Sequence, residues 1–162
     1  MGNKPGTNAS GDGVKLGVRD GNILLVEDSS DDIELTLRAL KRNGFKQKVV
    51  TMRDGAQALD YLRREGAYAG RQEGQPALVL LDLKLPRLDG LQLLAQIKAD
   101  PQLKSLPVVM LTSSRQDRDI EQAYRLGVNS YVCKPTDYAQ LLQIVNAIGR
   151  YWFDTVELPP AH

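Results

Sequence analysis

The sequence predicts a doubly wound α/β domain, a five-stranded parallel sheet with five helices on its two faces. Three observations carry that expectation. Short apolar runs alternate five times with stretches of helical periodicity, from "ILLVED" to "DYAQLLQIVNAIGRYW". The buried runs are continuously apolar, which marks strands covered on both faces and hence a parallel sheet. Four of the runs close on polar residues, and a parallel sheet gathers its strand ends along one edge.

The elements follow in order. The first strand lies in "ILLVED". "DDIELTLRALKRNGF" sets Ile33, Leu37 and Leu40 at helical spacing and stops at Gly44, a natural C-terminal cap. "KVVTMR" is a β-branched strand signal. "GAQALDYLRREG" puts Ala58, Leu59 and Leu62 on one helical face, and "ALVLLD" is the third strand. "DGLQLLAQIKAD" carries Leu91, Leu94 and Ile97. "LPVVMLT" is the fourth strand. "RDIEQAYRLG" carries Ile120, Ala123 and Tyr124, and "SYVCK" is the fifth strand. The last helix carries Leu141, Ile144, Val145 and Ile148. Right-handed crossovers join the parallel strands. Residues 66–75, "GAYAGRQEGQ", form the one long connection and read as an exposed loop.

Residues 1–21 are rich in Gly, Asn, Ser and Asp and read as a flexible tail; the folded domain is expected over 22–150, and 151–162 as a C-terminal extension. A net charge of +1 gives no sign of nucleic acid or an anionic membrane as a partner. No apolar run approaches membrane-spanning length, and the polar start does not resemble a signal peptide. A single cysteine, Cys133, excludes an internal disulfide and fits a reducing, cytoplasmic setting; it reads as a small core residue. The one histidine is the last residue, His162, which excludes a catalytic triad or a His-ligated metal site in the core.

The strand ends hold the chemistry. Glu27 and Asp28 end the first strand, Asp82 the third, Thr112 the fourth and Lys134 the fifth. Three convergent carboxylates repel one another and raise each other's pKa. A hard divalent cation relieves that, and all-oxygen ligation with retained waters suits Mg²⁺. Lys134 adds a compact, movable positive charge, and Thr112 a hydroxyl. Cation, ammonium, hydroxyl and free carboxylate together suit receipt of a phosphoryl group on a carboxylate oxygen. Asp31 and Asp32 stand at a helix start, where acids favour the dipole, and are assigned no catalysis.

With these residues in place, the chain resembles the receiver domain of bacterial two-component response regulators. The resemblance covers Asn22 to about Arg150 and rests on "LVED", "LLDLKLPRLDG", "VVMLTS" and "SYVCKP", in that order. It implies the flavodoxin-like receiver fold with strand order 2-1-3-4-5. It also implies that Asp82 is the phosphoacceptor, attacking a phosphohistidine on a sensor histidine kinase. Mg²⁺ is then held by Glu27, Asp28, Asp82 and the backbone carbonyl of Lys84. Thr112 and Lys134 bind phosphoryl oxygens, Tyr131 is the switch aromatic, and a cis peptide bond before Pro135 aims Lys134. The acidic pair departs from the common pattern, being Glu-Asp rather than Asp-Asp. A closer resemblance, through "GAYAGRQEGQ", "LTSSRQDRDI" and the aromatic C-terminal end, is to single-domain regulators paired with phytochrome-type sensor kinases.

That resemblance implies a signalling module, not an enzyme in the ordinary sense, with output by protein–protein contact. The alternative is a Mg²⁺-dependent aspartyl-phosphate phosphatase. Such enzymes, as in the haloacid dehalogenase family, usually carry an acid two residues after the nucleophile, where this chain has Lys84. A flavin module of similar topology needs a phosphate-cradling loop after the first strand, and "EDSSDD" repels phosphate. Tyr151, Trp152 and Phe153 exceed what the last helix needs to cover the core. They read as a homodimer contact, with "DTVELPP" as an arm on the partner.

Overall fold

The computed structural model describes residues 21–160. The expected tail therefore lies, apart from Gly21, outside the described residues. Five parallel strands, β1 (Ile23–Val26), β2 (Val49–Met52), β3 (Leu78–Leu81), β4 (Val108–Thr112) and β5 (Ser130–Cys133), pair in the order β2-β1-β3-β4-β5. The ladder runs in register across the first three strands, with Ile23 opposite both Val49 and Leu78, and Val26 opposite both Met52 and Leu81. β1, β3 and β4 are buried along their whole length, while the edge strands are only half-buried.

Five helices cover the sheet: α1 (Ser30–Arg42), α2 (Gly55–Arg63), α3 (Gly90–Ala99), α4 (Asp117–Leu126) and α5 (Tyr138–Gly149). Successive side chains of a strand point to opposite faces, so each central strand feeds two cores. Leu24, Val26, Val79, Leu81, Val108 and Met110 pack with residues of α2, α3 and α4. Ile23, Leu25, Leu78, Leu80 and Val109 pack with residues of α1 and α5. Each such side chain contributes about 1.5–3 kcal/mol on burial.

Most residues of the expected apolar helix faces meet a core, while Ile120 and Ile144 are half-buried outside both clusters. Leu37 and Tyr124 are exposed, at 36% and 50%; Thr36 turns inward in α1 instead, at 2%. The connection 66–75 is built rather than loose. It opens with a 3₁₀ turn, Gly66–Tyr68. The Arg71 guanidinium then stacks on the Tyr61 ring at 4.0 Å and donates to the carbonyls of Tyr61, Glu73 and Gly74.

The C-terminal end corrects two expectations. α5 runs on into a π-helical turn, Arg150–Thr155. Phe153 is not a spare surface aromatic: it is 2% exposed and belongs to the α1–α5 core. Leu158, expected within an arm reaching a partner, packs against the same core of its own chain. Only Tyr151 of the three aromatics is exposed, at 51%, with Trp152 stacked edge-on against it at 5.2 Å.

Candidate functional site

Three backbone hydrogen bonds carry the sheet one residue past its strands. The N–H of Glu27 donates to Met52 O at 2.9 Å, that of Asp82 to Val26 O at 3.0 Å, and that of Lys134 to Thr112 O at 2.7 Å. Each charged residue is thus hooked to a neighbouring strand before the chain turns away. That geometry delivers three side chains to one sheet edge.

The Lys134 ammonium donates to Glu27 Oε1 at 2.6 Å, Asp32 Oδ2 at 2.8 Å and Asp82 Oδ2 at 3.2 Å. Its three protons are all used. The other Asp82 oxygen, Oδ1, accepts the Leu83 N–H at 2.7 Å, which fixes the carboxylate plane. Glu27 is buried, while its Oε2 accepts the Ser29 N–H at 3.0 Å. Burial pushes the Glu27 carboxyl upward, and the Asp82 charge adds to that; the Lys134 hydrogen bond and the Ser29 N–H oppose it. Burial alone would lower the Lys134 ammonium, but hydrogen bonds to Asp32 and Glu27 and the Asp82 charge raise it above its ordinary 10.5. These directions compete, since a neutral Glu27 would no longer raise Lys134. The Lys134 direction prevails, because two further carboxylates hold it, and an ammonium at 2.6 Å keeps Glu27 ionised.

Asp32, taken from sequence as a helix-dipole acid, stands inside this cluster. Among the described residues, Glu27, Asp32 and Asp82 are the carboxylates whose oxygens lie within 4.8 Å of one another. Asp28 is not with them. It is exposed and lines a shallow cleft with Lys84, Leu85, Pro86, Asp89 and Asp119. The donors along this edge are hard oxygens only, which fits Mg²⁺ or Mn²⁺ and disfavours softer metals. Lys134 already fills the space among Glu27, Asp32 and Asp82. Asp28 and Lys84 face the adjoining cleft instead.

Thr112 closes β4 at 1% exposure, and its hydroxyl accepts the Ser114 N–H at 3.4 Å. Ser114 then gathers the β4–α4 connection. Its hydroxyl donates to Asp119 Oδ2 at 2.6 Å. Its carbonyl accepts the Tyr131 hydroxyl at 3.0 Å and the Cys133 thiol at 3.6 Å. Tyr131 is half-buried on β5, so the aromatic and the hydroxyl expected to act together are linked through Ser114. The cis peptide bond expected before Pro135 is absent, since the described residues contain none. Lys134 is aimed instead by its backbone bond to Thr112 and by its three carboxylates.

The loop carrying the site is wedged tightly. A Cβ on Gly90 would overlap the Asp82 carbonyl oxygen, and one on Gly55 would overlap the Leu88 carbonyl oxygen. Arg87, at φ 64°, donates to both oxygens of Asp54, the N-cap of α2. Sequence reading passed over Asp119 and these glycines and gave Asp32 only a helix-dipole role. Only Asp32 left a signal, an acid three residues after the N-cap Ser29.

Comparison with known proteins shows which family the chain belongs to. The profile of the response regulator receiver domain matches residues 23–146. Response regulator Rcp1 of Synechocystis sp. is 41% identical over 139 residues, which is 86% of this chain and 93% of that protein. The crystal structure of its Mn²⁺-bound form superposes with a TM-score of 0.80 at 40% identity, covering 86% of this chain and 99% of that one. The phosphorylated cyanobacterial phytochrome response regulator RcpA gives 0.81 at 46% identity, over the same shares. The bacteriophytochrome response regulator RtBRR gives 0.70 at 51% identity, over 86% of this chain and 84% of that one.

Proposed function

The chain belongs to the response regulator receiver family, and from that premise we propose that Asp82 takes a phosphoryl group from a phosphohistidine of a phytochrome-type sensor kinase. The observation that carries this reading is the largely enclosed Asp82 carboxylate, held by the Leu83 N–H on one oxygen and by Lys134 on the other. An Asp82 oxygen attacks phosphorus, the bond from phosphorus to the imidazole nitrogen breaks, and an acyl phosphate forms. Lys134, 3.2 Å from Asp82, neutralises one phosphoryl oxygen, and the Thr112 hydroxyl donates to another. Glu27, Asp28, Asp82 and the Lys84 carbonyl would hold Mg²⁺, which would supply charge neutralisation for the incoming phosphoryl oxygens.

Readout runs from Thr112 through Ser114. A shift of Thr112 toward the phosphoryl group pulls the Ser114 amide and breaks the carbonyl's grip on Tyr131, which then turns inward. Output is by contact with other proteins, and no helix among the described residues is long and apolar enough to cross a membrane. The phytochrome pairing rests on the likeness to Rcp1 and RcpA. A homodimer forms through the exposed Tyr151 and the Trp152 stacked on it; Trp152→Ala should lower the mass seen in light scattering, and an unchanged dimer would end that part of the reading.

The test of the central step is intact mass after incubation with acetyl phosphate and Mg²⁺. The native chain should gain one phosphoryl group, and Asp82→Asn, or the native chain without Mg²⁺, should gain none. An adduct that survives in Asp82→Asn would move the acceptor elsewhere.

A further inference from the structure

Asp32 occupies an unusual position for a residue of a first helical turn. It stands three residues after the N-cap Ser29, and its N–H donates to the Ser29 hydroxyl at 3.2 Å. An acid at that position commonly folds back onto the cap residue's N–H. Here that N–H is already taken by Glu27 Oε2. The Asp32 carboxylate is thereby released from capping and meets Lys134 at 2.8 Å, closer than Lys134 comes to Asp82.

We propose that Asp32 is a positioning residue that holds the Lys134 ammonium back from Asp82 and releases it to the arriving phosphoryl group. This rests on the reading of Asp82 as the phosphoacceptor. A lysine bound closely to Asp82 would occupy the lone pairs that must attack phosphorus. Shared among Glu27, Asp32 and Asp82, the ammonium stands beside the nucleophile with its longest contact, 3.2 Å, to Asp82. Glu27 and Asp82 are almost enclosed, whereas the Asp32 side chain is 39% exposed. Asp32 is thus the partner that water can take over when Lys134 turns to the phosphoryl oxygen. Removing its charge lets Lys134 close on Asp82.

The experiment compares the rate of adduct formation from acetyl phosphate in the native chain, Asp32→Asn, Lys134→Ala and the double variant, across a Mg²⁺ titration and with thermal melts. Asp32→Asn should slow the reaction about tenfold, a modest misplacement of one group beside the reacting atoms. Its half-saturating Mg²⁺ should stay at the native value. With Lys134→Ala in place, Asp32→Asn should slow nothing further. A raised Mg²⁺ requirement would make Asp32 a metal ligand and overturn the proposal. So would equal slowing in both backgrounds, which would make it a source of charge alone, and so would a rate like that of the native chain. The Mg²⁺ arm needs no Lys134 variant, so it decides even if Lys134→Ala unfolds. A native chain that takes no phosphoryl group would remove the phosphoacceptor reading and this proposal with it, whereas a native adduct without the Asp32 effect would remove only the latter.

Discussion

The two edges of the sheet are built on opposite principles. At the carboxyl edge, Glu27, Asp82 and Lys134 lie one residue past their strands, with Asp32 above them; charge is concentrated and close to water. At the amino edge, Gly21, Pro76 and Pro107 lie just before β1, β3 and β4, and Leu158, Pro159 and Pro160 fold against them around a hollow of about 110 Å³ with no charged lining. Leu158 continues the core that Phe153 enters from the same C-terminal segment. One edge sets out groups that must exchange partners, and the other closes the core. A substitution should therefore affect chemistry or stability according to the edge it touches.

That separation can be tested from its strongest contrast downward. Phe153→Ala opens a cavity in the core and should cost about 3–5 kcal/mol of unfolding free energy, measured by urea denaturation, while a still-folded sample accepts phosphate at the native rate. Loss of phosphorylation in that folded sample would break the comparison. Mg²⁺ acts at the other edge. At a hundredfold excess over its Kd it should stabilise the native chain by about 2.7 kcal/mol, and Asp28→Asn should lose most of that gain while Phe153→Ala keeps it.

Gly90→Ala crosses the divide, because its new methyl group meets the backbone of Asp82. Overpacking of this kind costs about 1–3 kcal/mol, and here the phosphorylation rate should fall as well. A rate unchanged alongside lowered stability would show that the acceptor tolerates a shift of its loop.

Asp54→Ala gives the smallest effect. It removes the N-cap of α2 and the anchor of Arg87, about 1 kcal/mol near neutral pH. Burial raises the Asp54 carboxyl, but the Gln57 N–H and the Arg87 guanidinium outweigh it and hold it below the ordinary 3.8. A depressed carboxylate stabilises the fold above its unfolded pKa and loses that contribution as pH falls through the folded value. The native chain and Asp54→Ala should therefore converge in stability below pH 3.8; a gap that stays constant would mean the carboxylate's charge is immaterial.

The alternation of strand and helix was plain in the sequence because period and burial are local properties. So were Glu27, Asp82, Thr112 and Lys134, since a polar residue ending an apolar run is visible without coordinates. Asp32 was hidden because its direction depends on Glu27 having taken the Ser29 amide, a contact of two side-chain and backbone groups that spacing does not encode. Asp28 illustrates the converse: its neighbour's role is legible, but the turn after β1 sends the two acids to different surroundings. Phe153 was misassigned because helical periodicity was counted to Ile148, whereas the π-helical turn changes the phase and brings the aromatic back to the core. The tether that Ser114 makes to Asp119 and Tyr131 was not legible, since it runs through contacts between different elements, one of them to a main-chain carbonyl.

The hollow at the amino edge has a practical consequence. Gly21 and Leu158, Pro159 and Pro160 line the same hollow, at the far end of the strands from Asp82. A short linker could join them, and new termini could be opened in an exposed connection of the circularly permuted chain, with the acceptor edge left untouched. By the same geometry, a fluorophore or a surface tether attached at Gly21 or Pro160 would leave the acceptor edge facing away from its anchor.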